Sequence, residues 1–518
     1  MKLHSILSGI IMVALLWSCS EDKGNYDYRD INEIVIEGIQ ETYNVIYKRD
    51  TLRISPQLTF SMDDGRADRY QYEWEMQGQT NGVKTIVGTD RDLEYFVESA
   101  EGAYTLWFRA TDTETDVCWI TKAEVNIRTL FGLGMMVIGE DEDGYADIDM
   151  VSVAADTVVL RNLMKNNGLP PMRGPKLIRY TGKAYYSEAL AVELWITTDD
   201  GSFYLDTKTF RGDPTHNIQQ KILQGNALPT NMRILWMSRR HGQAGAHMSR
   251  VFITDTGDVY GVFNVALGVI YGEALNRMDA NSLERYRVFP IIFSTSSFSE
   301  KVLYDLDHNR FMRASNSAFP TPGSLFLPFV DAGTEVYPAN QPAGRTIIYG
   351  ENTMNKDNGA SVGNSYVLMR ETGDRYYVYR FYSVYRAAEP WPMCYRMMWT
   401  IDPSVATNLP QARMWAFASQ RTFLLYPVGS VLYAYDYNPG NERLYQIDLG
   451  SEITCLKFDT NSDASGNTLW VGTYNAYDKG TLTRYGLSLD PNKFELTNKG
   501  SWSGLVKIAD MDWRDSDL

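Results

Sequence analysis

The chain predicts an all-β protein: an N-terminal immunoglobulin-like β-sandwich followed by a seven-bladed β-propeller. Three observations carry this expectation. Residues 31–130 alternate apolar and polar positions over short runs broken by turn residues. From residue 131 onward an apolar strand, an acid-and-glycine turn and an aromatic strand recur seven times. Helical periodicity is nearly absent, and residues 279–287, "DANSLERYR", are the clearest short candidate.

The first region reads as strands "INEIVIEG", "TLRISPQLTFS", "YQYEWEM", "AYTLWFRATD" and "WITKAEVNIR", interrupted by turns such as Asp63-Asp64-Gly65. About 100 residues of short alternating strands make a sandwich the natural architecture. Tyr72-Glu73-Trp74, then Glu101-Gly102-Ala103-Tyr104-Thr105-Leu106 and Ala110-Thr111-Asp112, resemble the "YxW … GxYxV … VTD" pattern of PKD domains. The usual "DFGDG" after the tryptophan is missing. The resemblance implies structural roles for these residues and brings no chemistry.

The repeats begin near Gly134, Val192, Ser249, Glu300, Asn364, Arg421 and Asn467, roughly 46–64 residues apart. Each unit is long enough for a four-stranded sheet. Glycine supplies the positive φ of a tight hairpin, and aspartate bonds back to its own turn. Seven such units suit a propeller, because radial packing hides most strand edges. Two packed sandwiches are the alternative. The last stretch, "SGLVKIADMDWR", is a lone strand expected to pair with the opening strands near Met135 and close the ring.

At the N-terminus an apolar run, Ile6 to Leu16, follows Lys2 and ends at Leu16-Trp17-Ser18-Cys19. The run suits a signal-peptide core and is too short to span a bilayer. A cleaved secretory signal with an incidental cysteine is one reading. Leu16 to Cys19 otherwise resembles a bacterial lipobox, departing from it at Trp17, which implies removal of residues 1–18 and a lipid on the Cys19 sulfur. Several buried acyl chains anchor durably, at about 0.8 kcal/mol per methylene. Ser20-Glu21-Asp22 resembles the acidic tag that sends lipoproteins of the Bacteroidetes to the cell surface. The expected organisation is thus signal 1–18, tether 19–30, PKD-like sandwich 31–130 and propeller-like region 131–518.

A net charge of −15, spread along the chain, argues against nucleic acid as a partner. Apart from Cys19, the cysteines are Cys118, Cys394 and Cys455, an odd number without CxxC spacing. They are expected to be buried thiols, with a single bridge between two of them as the alternative, and indicate neither a disulfide framework nor a zinc site. No metal or cofactor is expected: the acidic run at 140–143 reads as a solvated hairpin tip, and His241 and His247 lack zinc-pair spacing.

Two stretches are candidate ligand sites. In "SRRHGQAGAHMSR", Arg239, Arg240 and Arg250 form a basic island bounded by glycines, able to clamp a carboxylate such as a peptide C-terminus. A solvated loop is the plainer reading. In residues 375–399, Tyr377, Tyr379, Tyr395, Trp391 and Trp399 are either blade core or a recognition platform. There is no GxSxG motif, and histidines are too few for a triad; a paired-carboxylate glycosidase cannot be nominated from 64 acids.

The lipobox-like start, acidic tag, tyrosine-containing tether and PKD-like region together resemble the PKD-like surface lipoproteins of the Bacteroidetes. These resemble accessories of SusC/SusD-type importers, in which a TonB-dependent barrel is lidded by a SusD-like lipoprotein. The resemblance implies an outer-membrane, outward-facing, non-catalytic subunit that binds nutrient, oligopeptide more than glycan. A surface hydrolase or lyase, or an adhesion module, are the alternatives.

Overall fold

The structure is a computed structural model describing residues 32–515 apart from 63–65, 67, 155, 183–191, 226, 240–249, 263–269, 280, 294–300, 315–324, 362, 384–392 and 491–492. The signal and tether expected over 1–30 lie outside the described residues. The chain divides into two compact units: the first runs to residue 126, except that 44–47 and 99–101 group with the second.

The first unit is a β-sandwich. One sheet orders the strands Thr42–Ile46, Cys118–Arg128, Gly102–Asp112, Tyr70–Gly78 and Lys84–Gly88. Two further pairs join Ile34–Glu37 to Gln57–Phe60, and Thr51–Ile54 to Leu93–Phe96. Trp74 of the PKD-like pattern is fully buried against Phe108, with ring centroids 4.4 Å apart. Its indole N–H donates to the Asp90 carbonyl at 3.0 Å, so burial leaves no polar group unmet. Asp112 of the same pattern takes a two-pronged contact from Arg69, at 2.6 and 3.0 Å.

The second unit is propeller-like: among the described residues it holds seven consecutive antiparallel sheets of three or four strands. Each expected repeat supplies a central hairpin. These pair Gly134–Glu140 with Ala146–Ser152, Leu194–Thr198 with Gly201–Leu205, and Val251–Thr254 with Val259–Gly261. They continue with Val302–Asp305 and Arg310–Ala314, Ser365–Glu371 and Arg375–Ser383, Phe423–Val428 and Val431–Asp436, and Thr468–Asn475 and Lys479–Leu487. In the sixth, Gly429 has φ of 61° and open space where a Cβ would sit. Glycine is there for its backbone freedom, at the first position of a two-residue turn.

Neighbouring sheets are joined face to face by apolar clusters. Met136, Ile148, Ile178 and Ile196 link the first and second, Trp195 and Phe252 the second and third, and Ile253 and Leu303 the third and fourth. Phe311 and Val367 continue the series, then Leu368 and Leu424, then Leu425 and Val471. This explains why the central strands are buried on both faces, as in Leu194–Thr198. A further cluster, with Trp470, Leu482, Met135 and Met511, joins the seventh sheet to the first.

The expected pairing of the final strand is present. Lys507–Arg514 runs antiparallel to Gly134–Glu140, with Met135 opposite Trp513 and a bulge between Ile138 and Gly139. A Cβ on Gly139 would stand 2.2 Å from the Lys507 carbonyl oxygen, so glycine is what permits this approach.

Two expectations are corrected. Residues 279–287 form no helix among those described: Arg277 and Arg285 make an antiparallel bridge, and the Asn276 amide donates to the Tyr286 carbonyl at 2.6 Å. Burial of Tyr286 between sheets outweighs the weak helical pattern. Cys118 is exposed because it begins a strand just after a turn, whereas Cys394 and Cys455 are buried.

Candidate functional site

Edge strands from several of these sheets line one cavity. Arg179, on Leu177–Tyr180, and Trp236, on Ile234–Met237, face a cavity of about 370 Å³. Glu351 from Arg345–Asn352, Lys457 from Glu452–Phe458 and Asp512 from the final strand line it too. Five sheets therefore contribute, together with the segment that leads into the fourth.

Asp512 organises one wall. Its Oδ1 accepts from Arg179 Nη1 at 2.9 Å and closely from Arg239 Nη1, while Oδ2 accepts from the Tyr180 backbone N–H at 2.7 Å. Burial alone would raise this carboxyl; Arg179, Arg239 and Lys457 overcome that and hold it below the usual carboxylate range. Arg239 also donates to the Trp513 carbonyl at 3.1 Å. Beside it, Lys457 Nζ donates to Asp510 Oδ1 at 3.0 Å and to the Met511 carbonyl at 2.7 Å.

Glu351 supplies a different charge state. Its carboxyl lies deep in the unit yet opens onto the cavity, and burial pushes it up to about 7. The Phe417 N–H, at 2.7 Å, the Tyr349 hydroxyl, at 3.0 Å, and the charge of Lys457 only partly oppose the shift. The cavity can therefore accept or release a proton near neutrality.

The sequence candidates scatter. Arg239 reaches the cavity, but Arg250 does not clamp anything from solvent: it is buried on Glu193 at 3.0 Å, which also holds Lys221. Cys19, Arg240 and Trp391 lie outside the described residues. Tyr377 and Tyr379 belong to the blade core. Tyr379 is fully buried, stacked on Tyr337 at 3.8 Å and bonded to Arg345 and Gln341, both at 2.9 Å. The Arg345 guanidinium covers the Tyr377 ring at 3.8 Å. Trp399 packs on Tyr437 under Arg380. Tyr395 alone of the described members of this group is open, 60% exposed beside Tyr382. Of the two readings, Tyr377 and Tyr379 take the blade-core one, since alternation sends these rings between sheets.

Arg179, Glu351, Lys457 and Asp512 were not singled out from sequence. Acids and bases inside apolar strands, as in "IADMDWR", were the available signal. A second cavity, about 580 Å³, lies beside the acidic tip, where Asp141 Oδ1 accepts from the Asp143 and Tyr145 amides at 2.9 and 2.8 Å. Its inner carboxylates are committed to the backbone: Asp149 accepts from Asn162 and Val506, each at 2.9 Å, and Asp147 from Met164 at 2.8 Å. That wall is a structural clasp. Among the described residues no group of three metal-ligating side chains converges.

The PKD-like family model matches residues 19–174. The chain carries an N-terminal PKD-like domain. The match continues past the sandwich and takes in three of the four strands of the first sheet of the second unit, all but Lys507–Arg514. A search of curated proteins gives no match. Among solved structures, a quinonprotein alcohol dehydrogenase-like protein from Bacteroides thetaiotaomicron is 11% identical, with TM-score 0.34 over 93% of this chain and 99% of that one. A candidate 6-phosphogluconolactonase from Bacteroides fragilis is 10% identical, with TM-score 0.35 over 88% and 100%. A hypothetical selenium-binding protein from Sulfolobus tokodaii is 10% identical, with TM-score 0.33 over 86% and 94%. The propeller-like description rests on the sheets and clusters above.

Proposed function

We propose that this protein is a surface lipoprotein, anchored through Cys19 in the outer membrane and facing outward, that captures nutrient for a SusC/SusD-type importer without catalysing a reaction. Its second unit is then a closed seven-bladed propeller, and the ligand sits in the central cavity. The observation that carries the reading is that cavity: about 370 Å³, within the range of small-molecule sites, with aromatic walls and a few converging charged groups. The apolar cluster between the seventh and first sheets supports closure. Oligopeptide is favoured over glycan as cargo.

The test is extraction of the native protein from membranes, with mass spectrometry of Cys19, protease treatment of intact cells and identification of copurifying proteins. An acylated Cys19, cleavage from outside and recovery of a TonB-dependent barrel are expected. A bare thiol or a protease-protected chain removes the proposal.

A hydrolase or lyase reading draws on one observation, the Glu351 carboxyl near neutrality in a cavity. Polymer breakdown by the purified protein, abolished by Glu351→Gln, would favour it over capture.

A further inference from the structure

We propose that the central cavity recognises the free terminal carboxylate of a short peptide through Arg179 and Arg239. The inference rests on the reading of that cavity as the ligand site and names what enters it.

Charge is the first argument. Asp510 is matched by Lys457, whereas Asp512 lies between two guanidiniums. Of the other ionisable groups lining the cavity, Lys301 and Asp459 offset one another and Glu351 is protonated below about pH 7, so one positive charge is left over. Hydrogen bonding is the second. Asp512 Oδ1 takes both arginines and Oδ2 takes Tyr180, which leaves little acceptor capacity on this carboxylate. Among the described residues the Arg179 side chain makes no other hydrogen bond, and that of Arg239 adds only the Trp513 carbonyl. Each of the two side chains keeps 12% of its surface exposed. Two planar forks lining one cavity, with N–H groups beyond those spent on Asp512, suit an incoming carboxylate.

The ligand's class follows from the same wall. A single excess charge matches a monoanion better than a phosphate dianion. Trp236, Phe289 and Trp513 offer apolar faces for the side chain next to the carboxylate. A uronic acid shares the carboxylate chemistry, so the experiment must separate it from a peptide.

Calorimetry on the full-length protein in detergent, at pH 6 and low salt, uses trialanine, trialanine amide and galacturonate as probes. Trialanine should bind, with the amide and Arg239→Lys each weakening binding by about tenfold or more. The lysine keeps the charge on Asp512 while losing the fork. If Arg239→Lys folds poorly, competition on the unaltered protein decides: acetate should displace trialanine and acetamide should not. Equal binding of acid and amide overturns carboxylate recognition while leaving capture intact. Binding of galacturonate without trialanine overturns the peptide assignment. Binding of none of the three, nor of a neutral oligosaccharide, removes the capture reading as well.

Discussion

The carboxylate of Asp512 accepts a 2.7 Å hydrogen bond from the backbone N–H of Tyr180, 332 residues earlier in the chain. Asp510 does the same for the Ile178 N–H at 3.1 Å. The final strand is therefore bonded on one edge to the first sheet and through its side chains to the second. Strand pairing fixes its register, and the two carboxylates tie it to Leu177–Tyr180, the edge strand of the second sheet.

Asp512→Asn should destabilise the second unit by about 3–5 kcal/mol, the usual cost of stripping one partner from a buried ion pair. Two guanidiniums would then face a neutral amide. Adding Arg239→Gln removes one stranded charge, so the double variant should recover at least about 1 kcal/mol of coupling. Urea unfolding followed by tryptophan fluorescence measures both. A single variant within about 0.5 kcal/mol of the parent would mean that the triad contributes little.

Glu351 gives the opposite dependence on pH from most carboxylates. Its folded value, about 7, lies above the ordinary 4.5, so the native state holds a proton that the unfolded chain has released. Stability is then greatest below pH 4.5, falls as pH rises toward 7 and levels off above it. The shift corresponds to about 3 kcal/mol. Glu351→Gln keeps an acceptor for Phe417 and Tyr349 and should flatten this slope. The variant should be more stable than the parent at pH 8 and nearly equal at pH 4.5. Parallel pH profiles for the two proteins would rule out Glu351 as the source.

The repeat units were legible because each central hairpin is buried on both faces and so must be apolar, with a glycine or aspartate at its tip. Met135 opposite Trp513 was legible for a related reason: a lone strand after seven complete units needs a partner. The cavity was not, since Arg179 and Asp512 are hundreds of residues apart and meet only through the arrangement of sheets. Arg239 was found for its charge, but its partner was not. Tyr377 and Tyr379 stay open between core and platform in the sequence, because an aromatic ring between sheets and one on a binding face look alike there. Residues 279–287 misled because a weak helical pattern carries no information about the inter-sheet position that buries Tyr286.

In the sandwich, side-chain hydrogen bonds from Arg69 hold the Asp112 carboxyl down at about 2, against an ordinary 3.8. Its Oδ1 also accepts from the Glu114 N–H at 2.9 Å. A depressed folded value means that this contribution is complete above pH 3.8 and is lost as pH falls toward 2. Amide protection along Gly102–Asp112 should therefore decline across that interval. Asp112→Asn should already be less protected at pH 7 and lose little more on acidification. A variant matching the parent at both pH values would show that the Arg69 contact is not what stabilises this corner.

Thiol labelling reads out the seam between the seventh and first sheets. Cys455 packs there with Met135, Trp470 and Met511, and burial pushes its thiol up to about 12. Only the thiolate attacks iodoacetamide, so at pH 8 about one part in ten thousand is reactive even before access is considered. Among Cys118, Cys394 and Cys455, the native protein should label at the exposed Cys118 alone, and all three should label in urea. Because Asp512 ties down the strand that covers Cys455, Asp512→Asn should speed labelling of Cys455 while leaving Cys118 unchanged. Peptide mapping by mass spectrometry separates the sites. If Cys455 in the native parent labelled as fast as Cys118, the final strand could not be seated on the first sheet as described.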